Sequence, residues 1–139
     1  MFNKKKYNKK YCKLYRQKNK KKHLAYNRLW RKQNPDKNWA MRSLSDHKTR
    51  KYTVKISRIY LENLRVRTKK CCYCNCKLRY GKGKPHAKSP TLDVIDGSKN
   101  IVKNNIQVIC FECNKIKGRK THNQFVGYCG KIYQKFQRG

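Results

Sequence analysis

The chain has 139 residues, and 39 Lys+Arg against 6 Asp+Glu give it a formal net charge of +33. That length suits one domain with an arm, and 37% hydrophobic residues allow only a small core. A compact chain this cationic repels itself without a polyanion or a staple. Nucleic acid is the expected partner, because no apolar run approaches the ~18 residues of a membrane span and no signal-peptide core follows the basic start.

Residues 1–22 read as a Lys/Asn/Tyr-rich arm, with no acid before Asp36. Tyr7, Tyr11 and Tyr15 recur every four residues, so the arm is expected to be disordered alone and helical once phosphates neutralise it. Residues 23–68 read as a helical, basic DNA-binding region. A short helix is expected over Leu24–Lys32. Asn34-Pro35-Asp36 supplies an N-cap, a first-turn proline and a dipole-matched acid for a second helix, Pro35 to about Lys48, carrying Trp39, Met41 and Leu44. Residues 52–56 read as extended, and Ser57 as the cap of a helix with Ile59, Tyr60, Leu61 and Leu64.

Residues 69–139 hold the chemistry. Cys71-Cys-Tyr-Cys74 and Cys110-Phe-Glu-Cys113 are two C-x-x-C knuckles, the ligand set of a closed tetrahedral zinc site. With no secretory signal, the eight cysteines point to an intracellular, reducing compartment rather than to disulfides. Cys72 and Cys76 stand as competing ligands; Cys71 with Cys74 is favoured because it mirrors the second pair. Cys12 is assigned to the arm and Cys129 to the core. Residues 81–90 form a loop, Thr91–Ile95 a strand, Asp96-Gly97 a turn and Ile106–Ile109 a second strand. A short helix follows from the second knuckle to Gly118. Thr121-His-Asn-Gln124 is a capping box opening a helix with Phe125, Tyr128, Cys129, Ile132, Tyr133 and Phe136 on one face. The fold class is α+β: a zinc-stapled ββα core with N-terminal helices and a C-terminal amphipathic helix.

The run "CCYC … SPTLDVIDGSKNIVKNNIQVICFECNKIKG" resembles the HNH (ββα-metal, His-Me finger) endonucleases of the four-cysteine type found in phages and mobile elements, and is similar to the recombination endonuclease VII kind, over roughly residues 71–125. The resemblance implies a metal-dependent phosphodiester hydrolase that nicks or cuts duplex or branched DNA. It places structural Zn²⁺ on Cys71, Cys74, Cys110 and Cys113, and a catalytic Mg²⁺ or Mn²⁺ on Asp93 and Asn114. It gives Asn105 the role of pinning the loop between the strands. It also makes Lys117 a phosphate-facing base of the helix, within a basic group formed with Lys115, Arg119 and Lys120. A carboxylate and an amide oxygen suit a hard divalent ion that keeps several waters.

One departure stands out: Val94 occupies the position of the family's usual general-base histidine. His86 is the first substitute, His122 the second and Asp96 the third, and water activated by the metal alone is a further route. The competing reading is a non-catalytic, zinc-stabilised RNA- or DNA-binding protein that kept the scaffold and lost the base. The sequence carries no base-reading motif and fixes no oligomeric state.

Overall fold

The computed structural model describes residues 4–81 and 84–137, and the chain divides into two compact units, Met1–Pro35 and Asp36–Gly139. In the first unit, helix α1 (Lys4–Lys18) is followed after Asn19 by α2 (Lys20–Gln33). The expected disordered arm is therefore corrected to helix. Its lysines and leucines are good helix formers, no glycine or proline interrupts residues 4–33, and Tyr11 stacks on Tyr15 at 6.4 Å. No residue of α2 is buried. Asn34 stands directly before Pro35, the first residue of α3, as expected, and it also closes α2, its amide Nδ2 donating to Trp30 O at 3.0 Å.

The boundary expected near residue 68 is absent. In the second unit, α3 (Pro35–Thr49) and α4 (Arg58–Arg67) share one core with the cysteine-bearing segment: Trp39, Ala40 and Leu61 are buried with Leu92, Ile101 and Ile109. Neither helix has enough apolar surface to bury itself alone, so both close on the sheet. Trp39 Nε1 donates to Pro90 O (2.9 Å), fixing α3 at the start of the first strand. Ser57 Oγ accepts from Tyr60 N–H (3.1 Å) and caps α4. The extended piece over residues 52–56 bridges Val54 to Ile101.

Strands β1 (Pro90–Val94) and β2 (Ile106–Cys110) form an antiparallel pair whose register sets Asp93 opposite Gln107. The loop between them is tied to one buried side chain. Asn105 Oδ1 accepts Asp96 N–H (2.9 Å), and Nδ2 donates to Asp96 O and Asn100 O (both 3.0 Å). Helix α5 (Phe111–Lys117) leaves β2 directly and stops at Gly118, whose φ of +57° is a left-handed conformation open to glycine.

The capping box closes reciprocally at α6 (His122–Gln137). Thr121 N–H donates to Gln124 Oε1 (2.9 Å), and Gln124 N–H to Thr121 Oγ1 (3.3 Å). Thr121→Ala is expected to lower stability by about 1 kcal/mol, read by urea denaturation. Of the apolar face of α6 only Phe125 is buried; Tyr128, Ile132, Tyr133, Phe136 and Cys129 are exposed, which corrects Cys129 as a core residue. Among the described residues no helix is long and apolar enough to cross a membrane.

Candidate metal centre and the buried carboxylate beside it

The first knuckle turns because Asn75 adopts a left-handed φ of +55° and donates its N–H to Cys71 O (2.9 Å). Cys71 N–H then donates to Cys76 O (3.0 Å). In the second, Cys110 caps α5, its Sγ accepting Cys113 N–H at 3.3 Å. The two turns bring the Sγ atoms of Cys71, Cys74, Cys110 and Cys113 within 4.8 Å of one another, with Cys74 and Cys110 3.7 Å apart. Four thiolates about 2.3 Å from a tetrahedral zinc stand roughly 3.8 Å apart, so this cluster fits such an ion.

Of the rival sulfurs, Cys72 Sγ–H donates to Gln107 Oε1 (3.1 Å), while the partly buried Cys76 touches Cys74 and Cys110 at the edge of the cluster without joining the four sulfurs that lie within 4.8 Å of one another.

The thiols of the cluster differ. The backbone hydrogen bond at Cys76 pulls Cys74 down to about 7, whereas burial pushes Cys110 and Cys113 up. Protons and metal compete for these sulfurs, so zinc affinity is expected to rise with pH across the neutral range. Competition with a chromogenic chelator at several pH values measures this.

From Tyr73 of the first knuckle, a chain of polar side chains runs through Gln107 to Asp93 and Lys117. Asp93 and Lys117 are both buried, 4% and 2% exposed, and Lys117 Nζ donates to Asp93 Oδ1 (2.9 Å) and Val94 O (3.0 Å). Gln107 Nε2 donates to Asp93 Oδ2 and to Tyr73 Oη, both at 2.8 Å. Tyr73 Oη lies 3.1 Å from His122 Nδ1, and their rings stack at 5.6 Å. His122 is exposed, and its backbone N–H donates to Ile95 O (3.0 Å), anchoring the start of α6 at the end of β1. Burial pushes Tyr73 up to about 12 and Cys72 up to about 11, so both keep their protons at neutral pH.

Searches against family models, curated proteins and solved structures return no match to this chain. Function therefore has to be argued from the site itself.

The structure joins Asp93 to His122 and leaves His86 apart. His86 lies at the other end of β1, where its Nδ1 accepts Lys88 N–H (3.1 Å). The same loop packs on the start of α5 through Glu112 N–H to Ala87 O (3.0 Å). Asn114 is half-buried one turn before Lys117 on α5, and its carbonyl accepts Gly118 N–H.

Lys117 is corrected: a buried ammonium held by a carboxylate and a carbonyl has no surface to offer a phosphate. Lys115, Arg119 and Lys120 are exposed and can. Asp96 shapes its turn, with Oδ1 accepting Ser98 N–H and Oγ–H and Oδ2 facing Lys99 Nζ (3.1 Å).

A divalent ion on Asp93 and Asn114 does not fit the donors as they are folded. Both Asp93 oxygens already accept strong bonds in a nearly sealed position, and Lys117 supplies the countercharge. Among the described residues, the only group of three or more metal-binding His, Cys, Asp or Glu is the four cysteines.

Proposed function

We propose that the chain is a zinc-stapled endonuclease of the ββα (HNH) type that hydrolyses phosphodiester bonds of DNA, duplex or branched. In this reading zinc sits on Cys71, Cys74, Cys110 and Cys113 and fixes both ends of the β1–β2–α5 unit. The observation that carries it is the Asp93–Lys117 pair. Burying a carboxylate and an ammonium costs several kcal/mol per ion before their attraction is recovered. Replacing such a pair by packed apolar side chains is often neutral or stabilising, so stability alone does not account for Asp93 and Lys117. The pair also continues through Gln107 and Tyr73 to an exposed imidazole.

The net charge of +33 and the exposed Lys115, Arg119 and Lys120 support binding through phosphates. Affinity should fall with salt by roughly 0.9 log unit per log salt for each phosphate neutralised, with little dependence on sequence. A slope near zero would remove the charge-driven binding mode.

Mg²⁺ or Mn²⁺ at Asp93 requires Lys117 to withdraw, so no step is drawn through such an ion. The test is conversion of supercoiled plasmid to nicked or linear forms by zinc-loaded protein, with and without added Mg²⁺ or Mn²⁺. Nicking under either condition supports the proposal, and intact plasmid under all of them removes it.

A second reading is a zinc-stabilised RNA- or DNA-binding protein without catalysis. The hydrophobic Val94 and the neutralised Asp93 favour it. Tight binding of folded RNA, with no cut in any substrate, would establish it over the first.

A further inference from the structure

The hydrogen bonds between Asp93 and His122 have a direction, and the direction decides which ring nitrogen of His122 faces solvent with a proton. A carboxylate accepts only, so the side chain that meets Asp93 Oδ2 must present N–H; Gln107 therefore turns Nε2 toward it. The same assignment turns Oε1 toward Cys72, whose thiol donates to it. One Gln107 hydrogen goes to Asp93, and the other reaches Tyr73 Oη at 2.8 Å. The phenol oxygen accepts from Gln107 and keeps its own hydrogen, for which the ring nitrogen 3.1 Å away, His122 Nδ1, is the acceptor within reach. A neutral imidazole has one donor and one acceptor. With Nδ1 accepting, the proton resides on Nε2.

Four elements and the knuckle hold this arrangement. Lys117 of α5 fixes Asp93 of β1, and Gln107 of β2 links it to Tyr73 in the first knuckle. Tyr73 packs edge-on against Phe125 (4.9 Å) while its face stacks on His122. The backbone N–H of His122 donates to Ile95 O, and turning the ring would break its stack and its hydrogen bond with Tyr73.

We infer that His122, its tautomer set by the chain Asp93–Gln107–Tyr73, is a hydrogen-bond donor to the scissile phosphodiester through Nε2–H, and not the base that takes a proton from water. Tyr73 and Gln107 act through it and are positioning residues. The ligand is a phosphodiester anion: its oxygens accept only, which matches an N–H donor on the exposed His122, and the exposed Lys115 and Lys120 add the positive charge such an anion needs. No proton moves onto or off the ring; the Nε2–H···O bond strengthens as charge grows on the phosphate oxygen in the transition state. This inference rests on the proposed function, and its test separates the two.

The test has a spectroscopic arm and a kinetic arm, both on the zinc-loaded 139-residue chain. The ¹H–¹⁵N spectrum of the histidine rings should show His122 protonated at Nε2 with Nδ1 an unprotonated acceptor; protonation at Nδ1 in the neutral ring overturns the inference whatever the plasmid assay gives. In the kinetic arm, His122→Ala should slow single-turnover cleavage on the order of a hundredfold, the loss typical of one transition-state donor. His122→Gln, whose amide donates near the Nε2 position but cannot act as a base, should stay within about tenfold of wild type, well short of that loss.

Tyr73→Phe keeps the ring stack and removes the hydroxyl. It should slow the wild-type background yet have no further effect in His122→Gln, because its influence passes through the tautomer. Zinc content checks that each variant is folded. His122→Gln as slow as His122→Ala, or Tyr73→Phe equally damaging in both backgrounds, overturns the inference while leaving a nuclease. A wild type that binds DNA without cutting it removes the proposed function, and the donor role with it.

Discussion

Stripping zinc with a strong chelator at neutral pH should abolish the cooperative melt of residues 36–139. Three of the four sulfurs placed to hold a metal belong to buried residues, and Cys71, Cys110 and Cys113 lie in the same core cluster as Trp39, Leu61, Leu92 and Ile109. Without metal, four thiols are packed at contact distance, with burial raising Cys110 and Cys113 against ionisation. The first knuckle is then held to the second strand and knuckle only by the thiol contact of Cys74 with Cys110, the bonds of Cys72 and Tyr73 to Gln107 and core packing. A structural zinc of this kind contributes on the order of 10 kcal/mol or more. That is comparable to the whole net stability of an ordinary domain, about 5–15 kcal/mol. Cys113→Ser should behave like the chelated wild type. Calorimetry of chelated protein that keeps its transition at the same temperature would contradict this account of the core.

Breaking the Asp93–Lys117 pair from either side should be nearly as damaging. Asp93→Asn strands a buried ammonium, and Lys117→Met strands a buried carboxylate and takes a donor from Val94 O. Removing one partner of a buried pair typically costs about 3–5 kcal/mol. The double variant leaves no charge unpaired, so its loss should fall well below the sum of the two singles; the difference is the coupling measured by a double-mutant cycle. Urea denaturation of the zinc-loaded proteins gives all four corners. Single variants that each cost less than about 1 kcal/mol would mean that the pair is hydrated in solution and that the buried network is not built as described.

Much of the second unit was legible because its signals are local. The paired C-x-x-C knuckles, the Asp96-Gly97 turn, Ser57 and the Thr121–Gln124 box are short-range patterns, and each appears at its expected place. The helix over residues 4–18 is expected from sequence only once phosphates neutralise it, because the net charge there masks the helix-forming character of its lysines. Lys117 was misread for a related reason: nothing in Cys-Asn-Lys-Ile-Lys says which lysine turns inward. That follows only from α5 lying on β1, which puts Lys117 over Asp93.

Gln107 was invisible as a functional residue. It is one polar position in an apolar strand, and its meaning comes from the register that sets it opposite Asp93. The line from Tyr73 to His122 joins residues far apart in sequence and had no sequence signal beyond the presence of both types. Choosing His86 first rested on nearness along the chain, whereas the fold carries it to the cysteine end of the strand and brings His122 to the other.

The most direct measurement is the single-turnover rate of DNA cleavage by zinc-loaded wild type beside Asp93→Asn, with DNA affinity measured on the same samples. A phosphodiesterase organised around the buried carboxylate predicts cuts by the wild type and a rate lower by at least about a hundredfold in the folded variant, with binding nearly unchanged. Equal rates in the two proteins, or binding with no cut in either, would contradict it.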